Sequence, residues 1–108
     1  MSVRLGIGIT TFNRSGKLGA CIARLQERTT HSFDLVVADD GSTDATAETC
    51  AKARVIRIAG PNMGIAWNKN RALFFLHRVL ECDVIMLIED DCYPNQRGWE
   101  TEWIEAAR

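Results

Sequence analysis

The chain has 108 residues, enough for one compact domain that buries roughly 60–70% of its unfolded surface on folding, and too few for a second. Apolar residues make up 46% of the sequence and charged residues 25%, which excludes an intrinsically disordered chain. Thirteen Lys and Arg against fourteen Asp and Glu give a net charge of −1, so the sequence lacks a basic surface and we expect no nucleic-acid partner.

Four short apolar runs, rich in Val and Ile, are the candidate strands. They span residues 5–10, 33–38, 54–59 and 83–88. Apolar residues at consecutive positions are typical of strands that are covered on both faces. The third run is interrupted by Arg54 and Arg57, which favours a position near the edge of a sheet.

Segments with helical character separate these runs. One apolar face, at the spacing of a helix, consists of Leu18, Cys21, Ile22 and Leu25. A second and longer face consists of Ile65, Ala72, Leu73, Leu76, Val79 and Leu80. Residues 45–53 are good helix formers, and the residues that could cap this helix are Ser42, Thr43 and Asp44.

A fourth helix is predicted to begin near Gly98, with Trp99, Trp103 and Ile104 on one side. Strands and helices then alternate along the whole chain. This order predicts an α/β fold, with an open parallel sheet of about four strands and helices on both faces.

Acidic side chains follow two of the predicted strands. Asp39 and Asp40 follow the second, and Glu89, Asp90 and Asp91 follow the fourth. Ligands of open α/β sheets bind at the carboxyl ends of the strands, where the strand order reverses. Five like charges at one edge repel one another unless a cation offsets them, and Mg²⁺ or Mn²⁺ suits carboxylate oxygens and phosphates. Alternation predicts that Glu89 and Asp91 point one way and Asp90 the other.

Structural explanations compete with these assignments. Ser42 and Asp44 could serve only in a turn and a helix cap, and residues 60–64 could be a plain loop. Lys69 and Arg71 could approach a diphosphate or lie on a solvated helix face. Stacking on a ligand and packing in the core are both open for Trp67, Trp99 and Trp103.

The four cysteines show no zinc-site or Cys-x-x-Cys spacing, so we interpret them as reduced thiols. The sequence shows neither a secretory signal nor an apolar run long enough to span a membrane. We therefore expect a cytoplasmic protein without a membrane span.

Four segments carry a resemblance to a known family: GIGITTFNR, DLVVADDGSTDAT, GPNMGIAWNKNRAL and IMLIEDDCYP. In order and spacing they resemble the nucleotide-binding half of family 2 glycosyltransferases, which have the GT-A fold. The resemblance covers nearly the whole chain and implies that residues 1–108 form a single Rossmann-like domain that binds a nucleotide sugar. The resemblance also implies an inverting glycosyltransferase that uses Mn²⁺ or Mg²⁺ and a nucleotide-diphosphate sugar. A UDP-sugar is the expected donor, and the acceptor is unknown.

The resemblance also implies roles for individual residues. Thr10 would lie beside the nucleotide base, Asp40 would bond to that base, and Asp91 would bind the metal. The nucleotide-binding positions that it implies are Thr10, Asn13, Asp40, Lys69, Glu89 and Asp90. Glu89 departs from the family, which has Asp there, so the division of roles between Glu89 and Asp90 stays open.

No catalytic residue is assigned within the chain, because the resemblance implies that the catalytic base lies beyond residue 108. The chain alone is then expected to be inactive. One alternative is a non-catalytic nucleotide- or partner-binding module, in which an exposed sheet edge would favour a homo-oligomer. Another is a metal-dependent phosphoryl-transfer domain, which the sequence disfavours because its first strand ends in Thr10 and Thr11 instead of acids.

Overall fold

The computed structural model describes residues 3–107, and its centre is a parallel sheet with helices on both faces. The strands are β1 (Leu5–Thr11), β2 (Phe33–Asp39), β3 (Ile56–Ala59) and β4 (Val84–Glu89). The helices are α1 (Ser15–Arg28), α2 (Thr46–Ala53), α3 (Ile65–Phe74) and α4 (Glu100–Ala107). A π-helical turn, Phe75–Val79, extends α3. The predicted fold class is confirmed.

The strand order is β3-β2-β1-β4, and all pairs are parallel. The chain moves outward from β1 through β2 to β3 and then returns to the other side of β1 to form β4. The order therefore reverses between β1 and β4, which is where open α/β sheets bind ligands. The third predicted strand does lie at an edge, and β4 forms the other edge.

Two apolar layers cover the sheet. The larger joins β1, through Leu5, Ile7 and Ile9, to α1, α2 and α4, and its buried helical residues are Leu18, Cys21, Ile22, Leu25, Cys50 and Ile104. The smaller joins β2 to α3 and consists of Val36, Ala38, Ala72, Leu76 and Cys82. The predicted face of α1 is entirely buried, as its spacing indicated.

Two glycines of β1 allow α3 to pack closely on the sheet. A Cβ atom added to Gly6 would lie 2.7 Å from the Sγ atom of Cys82, and one added to Gly8 would lie 2.9 Å from the Cβ atom of Ala72. Both distances are too short for real side chains. The absence of side chains at these positions therefore lets α3, and the residues that follow it, pack closely against β1.

The predicted apolar face of α3 is wrong in part. Ala72 and Leu76 are buried, but Ile65, Leu73 and Val79 are exposed. The π-helical turn contains more residues per turn than an α-helix, which shifts Val79 off the buried face, whereas Ile65 and Leu73 are exposed within α3 itself. The sequence spacing alone gave no sign of this change of pitch.

Two further predictions need correction. The third strand begins at Ile56 instead of residue 54, because Arg54 adopts a left-handed conformation, with φ of 57°, that ends α2. In α4, Ile104 is buried but Trp103 is exposed, so the two do not share one buried side. Within residues 3–107, no helix combines the length and apolarity needed to cross a membrane.

A buried carboxylate attaches α4 to the loop before β2. The Oε2 atom of Glu100 accepts hydrogen bonds from the backbone N–H groups of Thr30 and His31, at 3.0 and 2.8 Å, and from the Thr30 hydroxyl and the His31 ring. Burial raises the pKa of Glu100, but the bonds from His31 and Thr30 outweigh it and lower the pKa to about 2.

We expect Glu100 to make stability depend on pH. Its folded pKa of about 2 lies below the ordinary value of 4.5, so its contribution is complete above pH 4.5 and is lost as the pH falls towards 2. Urea unfolding of wild type and Glu100→Gln, compared from pH 7 to pH 3, should show a stability difference that shrinks in acid. A difference that stays constant with pH would contradict this role.

Gly8→Ala should lower the free energy of unfolding by roughly 1–3 kcal/mol, because the added methyl group overpacks the contact with Ala72. Gly16→Ala is the matched control, since a Cβ atom at Gly16 meets nothing within 4 Å and α1 would gain a better helix former, worth up to about 1 kcal/mol. Chemical denaturation of both variants measures the contrast. Equal effects at the two positions would show that close packing on β1 is unimportant.

Candidate functional site

A cleft of about 280 Å³ opens at the carboxyl ends of the strands, where the strand order reverses. Its lining residues come from the ends of β1, β2 and β4 and from α3 with the loops between them. They are Thr10, Thr11, Phe12, Arg14, Asp40, Ile65, Asn68, Glu89, Asp90 and Asp91. Five of the seven residues predicted from the sequence are thus brought together in one place.

The other two predicted residues, Asn13 and Lys69, lie outside the described lining of the cleft. Asn13 joins two loops: its backbone N–H donates to Ser42 Oγ at 2.8 Å, and its side-chain oxygen accepts from the N–H of Thr43 at 2.7 Å. Lys69 is half-buried on α3. Contact of either residue with a nucleotide stays a prediction.

Asp40 organises the loop in front of α3. Its carboxylate accepts hydrogen bonds from the N–H groups of Met63 and Gly64, at 2.8 and 3.0 Å, and from Arg71 Nη1 at 3.0 Å. Burial raises the pKa of Asp40, but these three donors together keep it below its usual value. Asp40 is therefore a fixed anion in the wall of the cleft.

Arg71 connects several parts of the cleft wall through hydrogen bonds. Besides Asp40, its guanidinium donates to the Asn68 side-chain oxygen at 3.0 Å and to the backbone oxygen of Pro61. The Asn68 side chain in turn donates to the backbone oxygen of Ala38 at 2.8 Å. In this structure, Arg71 therefore positions Asp40 and the loop of residues 60–64, instead of extending towards the site of a diphosphate.

Asp39 does not share the charge of the cleft, contrary to the expectation that five carboxylates meet there. It is completely buried, accepts from Arg57 Nε at 2.9 Å, and also accepts from the Ser42 N–H at 2.9 Å. The structural interpretation of Asp44 applies as well, because its carboxylate accepts from the N–H groups of Ser15 and Thr46 at the starts of α1 and α2.

The three consecutive acids at the end of β4, Glu89, Asp90 and Asp91, differ in burial. Asp90 is buried and accepts from the Thr11 hydroxyl at 2.8 Å and from Arg14 Nη1 at 3.3 Å. Glu89 and Asp91 are exposed. This alternation agrees with the predicted one, and it leaves Glu89 and Asp91 as the accessible carboxylates of the segment.

The segment that follows Asp91 is attached to α1. The Cys21 thiol donates to the backbone oxygen of Cys92 at 3.1 Å, and the guanidinium of Arg24 lies over the ring of Tyr93 at 5.3 Å. Burial raises the pKa of Cys21 to about 12, so this thiol stays protonated and can donate. These contacts hold the backbone just after Asp91 against α1.

The described residues suit a metal that arrives with a ligand better than a preformed metal cage. Within residues 3–107, no three His, Cys, Asp or Glu side chains are grouped to hold a metal ion. Mg²⁺ and ions like it are commonly bound by one or two carboxylates, with water and substrate phosphates as the remaining ligands. The exposed carboxylate of Asp91, in the cleft, fits that pattern.

Phe12, Arg14 and Ile65 also line the cleft but were not assigned to it from the sequence. Phe12 and Ile65 give a polar cleft an apolar wall and are both exposed. Proximity to Thr10 and Asn13 in the chain could have indicated Phe12 and Arg14. Ile65 was counted in the predicted apolar face of α3, so the sequence pattern assigned it to the core instead of the cleft. The indole rings of Trp67 and Trp103 lie exposed outside the described lining.

Comparison with known families decides the affiliation of the chain. Residues 7–106 match the model of a family described as Glycosyl transferase family 2. The chain belongs to this family. The resemblance inferred from the four sequence segments is thereby confirmed for this glycosyltransferase domain.

Solved glycosyltransferase structures share the fold. A mannosyltransferase from Pyrobaculum calidifontis in complex with GDP-Man and Mn²⁺ has a TM-score of 0.77 at 17% identity, over 99% of this chain and 32% of that chain. TarS from S. aureus has a TM-score of 0.72 at 21% identity, over 94% of this chain and 19% of that chain.

Glucosyl-3-phosphoglycerate synthase from Mycobacterium tuberculosis, in complex with Mn²⁺, UDP and glucosyl-3-phosphoglycerate, has a TM-score of 0.69 at 17% identity, over 97% of this chain and 39% of that chain. The domain therefore spans well under half the length of each of these three structures. No curated protein matches it in sequence.

Arg71→Met should lower the free energy of unfolding by roughly 3–5 kcal/mol, because it leaves the buried Asp40 carboxylate without its cation. Arg4→Met is the matched control: it breaks an ion pair of 2.7 Å with Asp34, but that pair is solvent-exposed, so stability should change far less. Urea denaturation of the two variants measures the difference. A similar small effect for both would mean that Arg71 does not brace the cleft.

Proposed function

We propose that this chain is the donor-binding half of a glycosyltransferase and binds a nucleotide-diphosphate sugar with Mn²⁺ or Mg²⁺. The observation that carries this proposal is the cleft at the reversal of strand order, which Asp40 and the acidic segment 89–91 line together. A UDP-sugar is the proposed donor. TarS in complex with UDP-GlcNAc supports that choice, whereas the mannosyltransferase complex with GDP-Man supports the guanine alternative.

Asp40 is proposed to bind the base, next to Thr10. A carboxylate can accept about four hydrogen bonds. Three of these positions are taken by Met63, Gly64 and Arg71, which leaves capacity for one N–H donor of a base. Because the three internal donors fix the orientation of Asp40, little order has to be gained when the base binds.

Glu89 is the better candidate for the ribose, and Asp91 for the metal. Asp90 is buried and held in place by Thr11 and Arg14, whereas Glu89 is exposed and can turn to a ligand. We therefore assign the ribose contact to Glu89 and a positioning role to Asp90. Asn13 and Lys69 would act from the margin of the cleft, Asn13 by fixing the loops and Lys69 by its charge.

When bound at Asp91, a divalent ion would neutralise charge on the departing diphosphate. The residues of this chain would hold and orient the nucleotide. Transfer with inversion also needs a base that takes the proton of the acceptor hydroxyl. We place that base beyond residue 108, since the chain corresponds to 32% of the mannosyltransferase, and we propose that the chain alone transfers no sugar.

Two further parts of the proposal concern the surroundings of the protein. A cytoplasmic location is supported by the four free cysteines, Cys21, Cys50, Cys82 and Cys92. Association into a homo-oligomer is supported by β4, which forms an edge of the sheet in this chain. Size-exclusion chromatography with light scattering distinguishes a monomer from a dimer.

Calorimetric titration of UDP and of GDP, each with and without Mn²⁺, tests the proposed function. We expect binding that requires Mn²⁺ and that Asp91→Asn reduces at least tenfold, because one ionic ligand of the metal is lost. Glu105→Gln, on the exposed side of α4, is the charge-matched control and should bind as wild type does. If the nucleotide affinity is the same without Mn²⁺ and in Asp91→Asn, the result would favour a non-catalytic nucleotide-binding module instead.

A further inference from the structure

The position of Arg14 goes beyond what the proposed function requires. Arg14 immediately precedes α1, and its side chain lines the cleft. Its Nη1 atom lies 3.3 Å from Asp90 Oδ1 and 3.7 Å from Asp91 Oδ2. In the described part of the chain, no other cationic side chain forms an ion pair with residues 89–91. Arg14 is thus the internal counter-ion of the acidic segment.

The two contacts of Arg14 differ in kind. Asp90 is only 5% exposed and is also fixed by the Thr11 hydroxyl, so its bond to Arg14 belongs to the buried part of the site. Asp91 is 48% exposed, and its distance of 3.7 Å from Arg14 is too long for a hydrogen bond. Exposed ion pairs of this kind contribute little free energy and exchange readily.

We propose that Arg14 competes with the divalent cation for Asp91 and so makes metal binding depend on the diphosphate. Without a donor, the guanidinium lies 3.7 Å from the Asp91 carboxylate that would hold the metal. When metal and diphosphate enter together, Arg14 turns from Asp91 to the diphosphate oxygens. This inference rests on the proposed function, because it assumes that the cleft receives a metal and a diphosphate.

Electrostatics favour this exchange. A divalent ion on Asp91 would share that carboxylate with a guanidinium 3.7 Å away, and repulsion between the two cations at a solvated site should weaken metal binding roughly three- to tenfold. A diphosphate reverses the sign of the interaction, because its oxygens accept paired hydrogen bonds from a guanidinium. The Arg14 side chain is 50% exposed, so it can turn without disturbing the core.

Binding of Mn²⁺ measured by electron paramagnetic resonance, with and without saturating UDP, tests the proposal. Arg14→Gln should bind Mn²⁺ alone roughly three- to tenfold more tightly than wild type, since the competing charge is gone. The gain in Mn²⁺ affinity that UDP produces should shrink by at least the same factor, because both effects are one coupling between the two ligands. Arg14→Lys, which keeps the charge, should stay close to wild type.

Arg78→Gln is the matched control, since it removes one positive charge from an exposed position in the π-helical turn and should leave Mn²⁺ binding unchanged. If wild type binds Mn²⁺ with UDP but Arg14→Gln binds Mn²⁺ alone no more tightly, the competition is refuted and the proposed function stands. If wild type binds neither UDP nor Mn²⁺ with UDP, both the inference and the proposed function are refuted.

Discussion

Compensation of buried carboxylates governs the carboxyl edge of this sheet. Asp39, Asp40 and Asp90 are all buried, and each is paired with an arginine. The three partners come from β3, α3 and the start of α1, and they are Arg57, Arg71 and Arg14. A buried carboxylate without a partner is strongly destabilising. The fold can therefore place acids at this edge only if three separate elements deliver their arginines to it.

This pairing decides which acids remain for a ligand. The buried aspartates use their oxygens on arginines, hydroxyls and backbone N–H groups, and thereby fix the loops that form the cleft. Glu89 and Asp91 are exposed, so they can exchange partners at little cost. The site thus combines buried, hydrogen-bonded anions with exposed anions, which are accessible to a metal or a diphosphate. Arg14 touches one of each kind.

Packing in the smaller apolar layer, between the sheet and α3, also affects the candidate site. The side-chain-free surface at Gly6 and Gly8 lets α3 approach β1, and α3 carries both Asn68 and Arg71. Those two residues bond to the backbone of β2 and to Asp40. A larger residue at Gly6 or Gly8 would move α3 outward, and with it Asn68 and Arg71, which hold the wall of the cleft in place. Core packing and the geometry of the candidate site are therefore one constraint in this domain.

The sequence by itself determined the α/β order, the parallel sheet and the edge at which the acids gather. Those features depend on apolar periodicity and on strand ends, which are local properties of the chain. It also predicted that Asp90 points away from the side that Glu89 and Asp91 share, because alternation along an extended segment needs no tertiary information.

Only the tertiary structure decided how the charges are shared. Arg71 lies 31 residues from Asp40 in the chain, yet the two form an ion pair. Arg57 pairs with Asp39 from the neighbouring strand. The structure likewise exposed Ile65 at the cleft and ended the regular α-helix at Phe74. An ion pair depends on which side chains the packed elements bring within a few ångströms, and no spacing along the sequence encodes that distance.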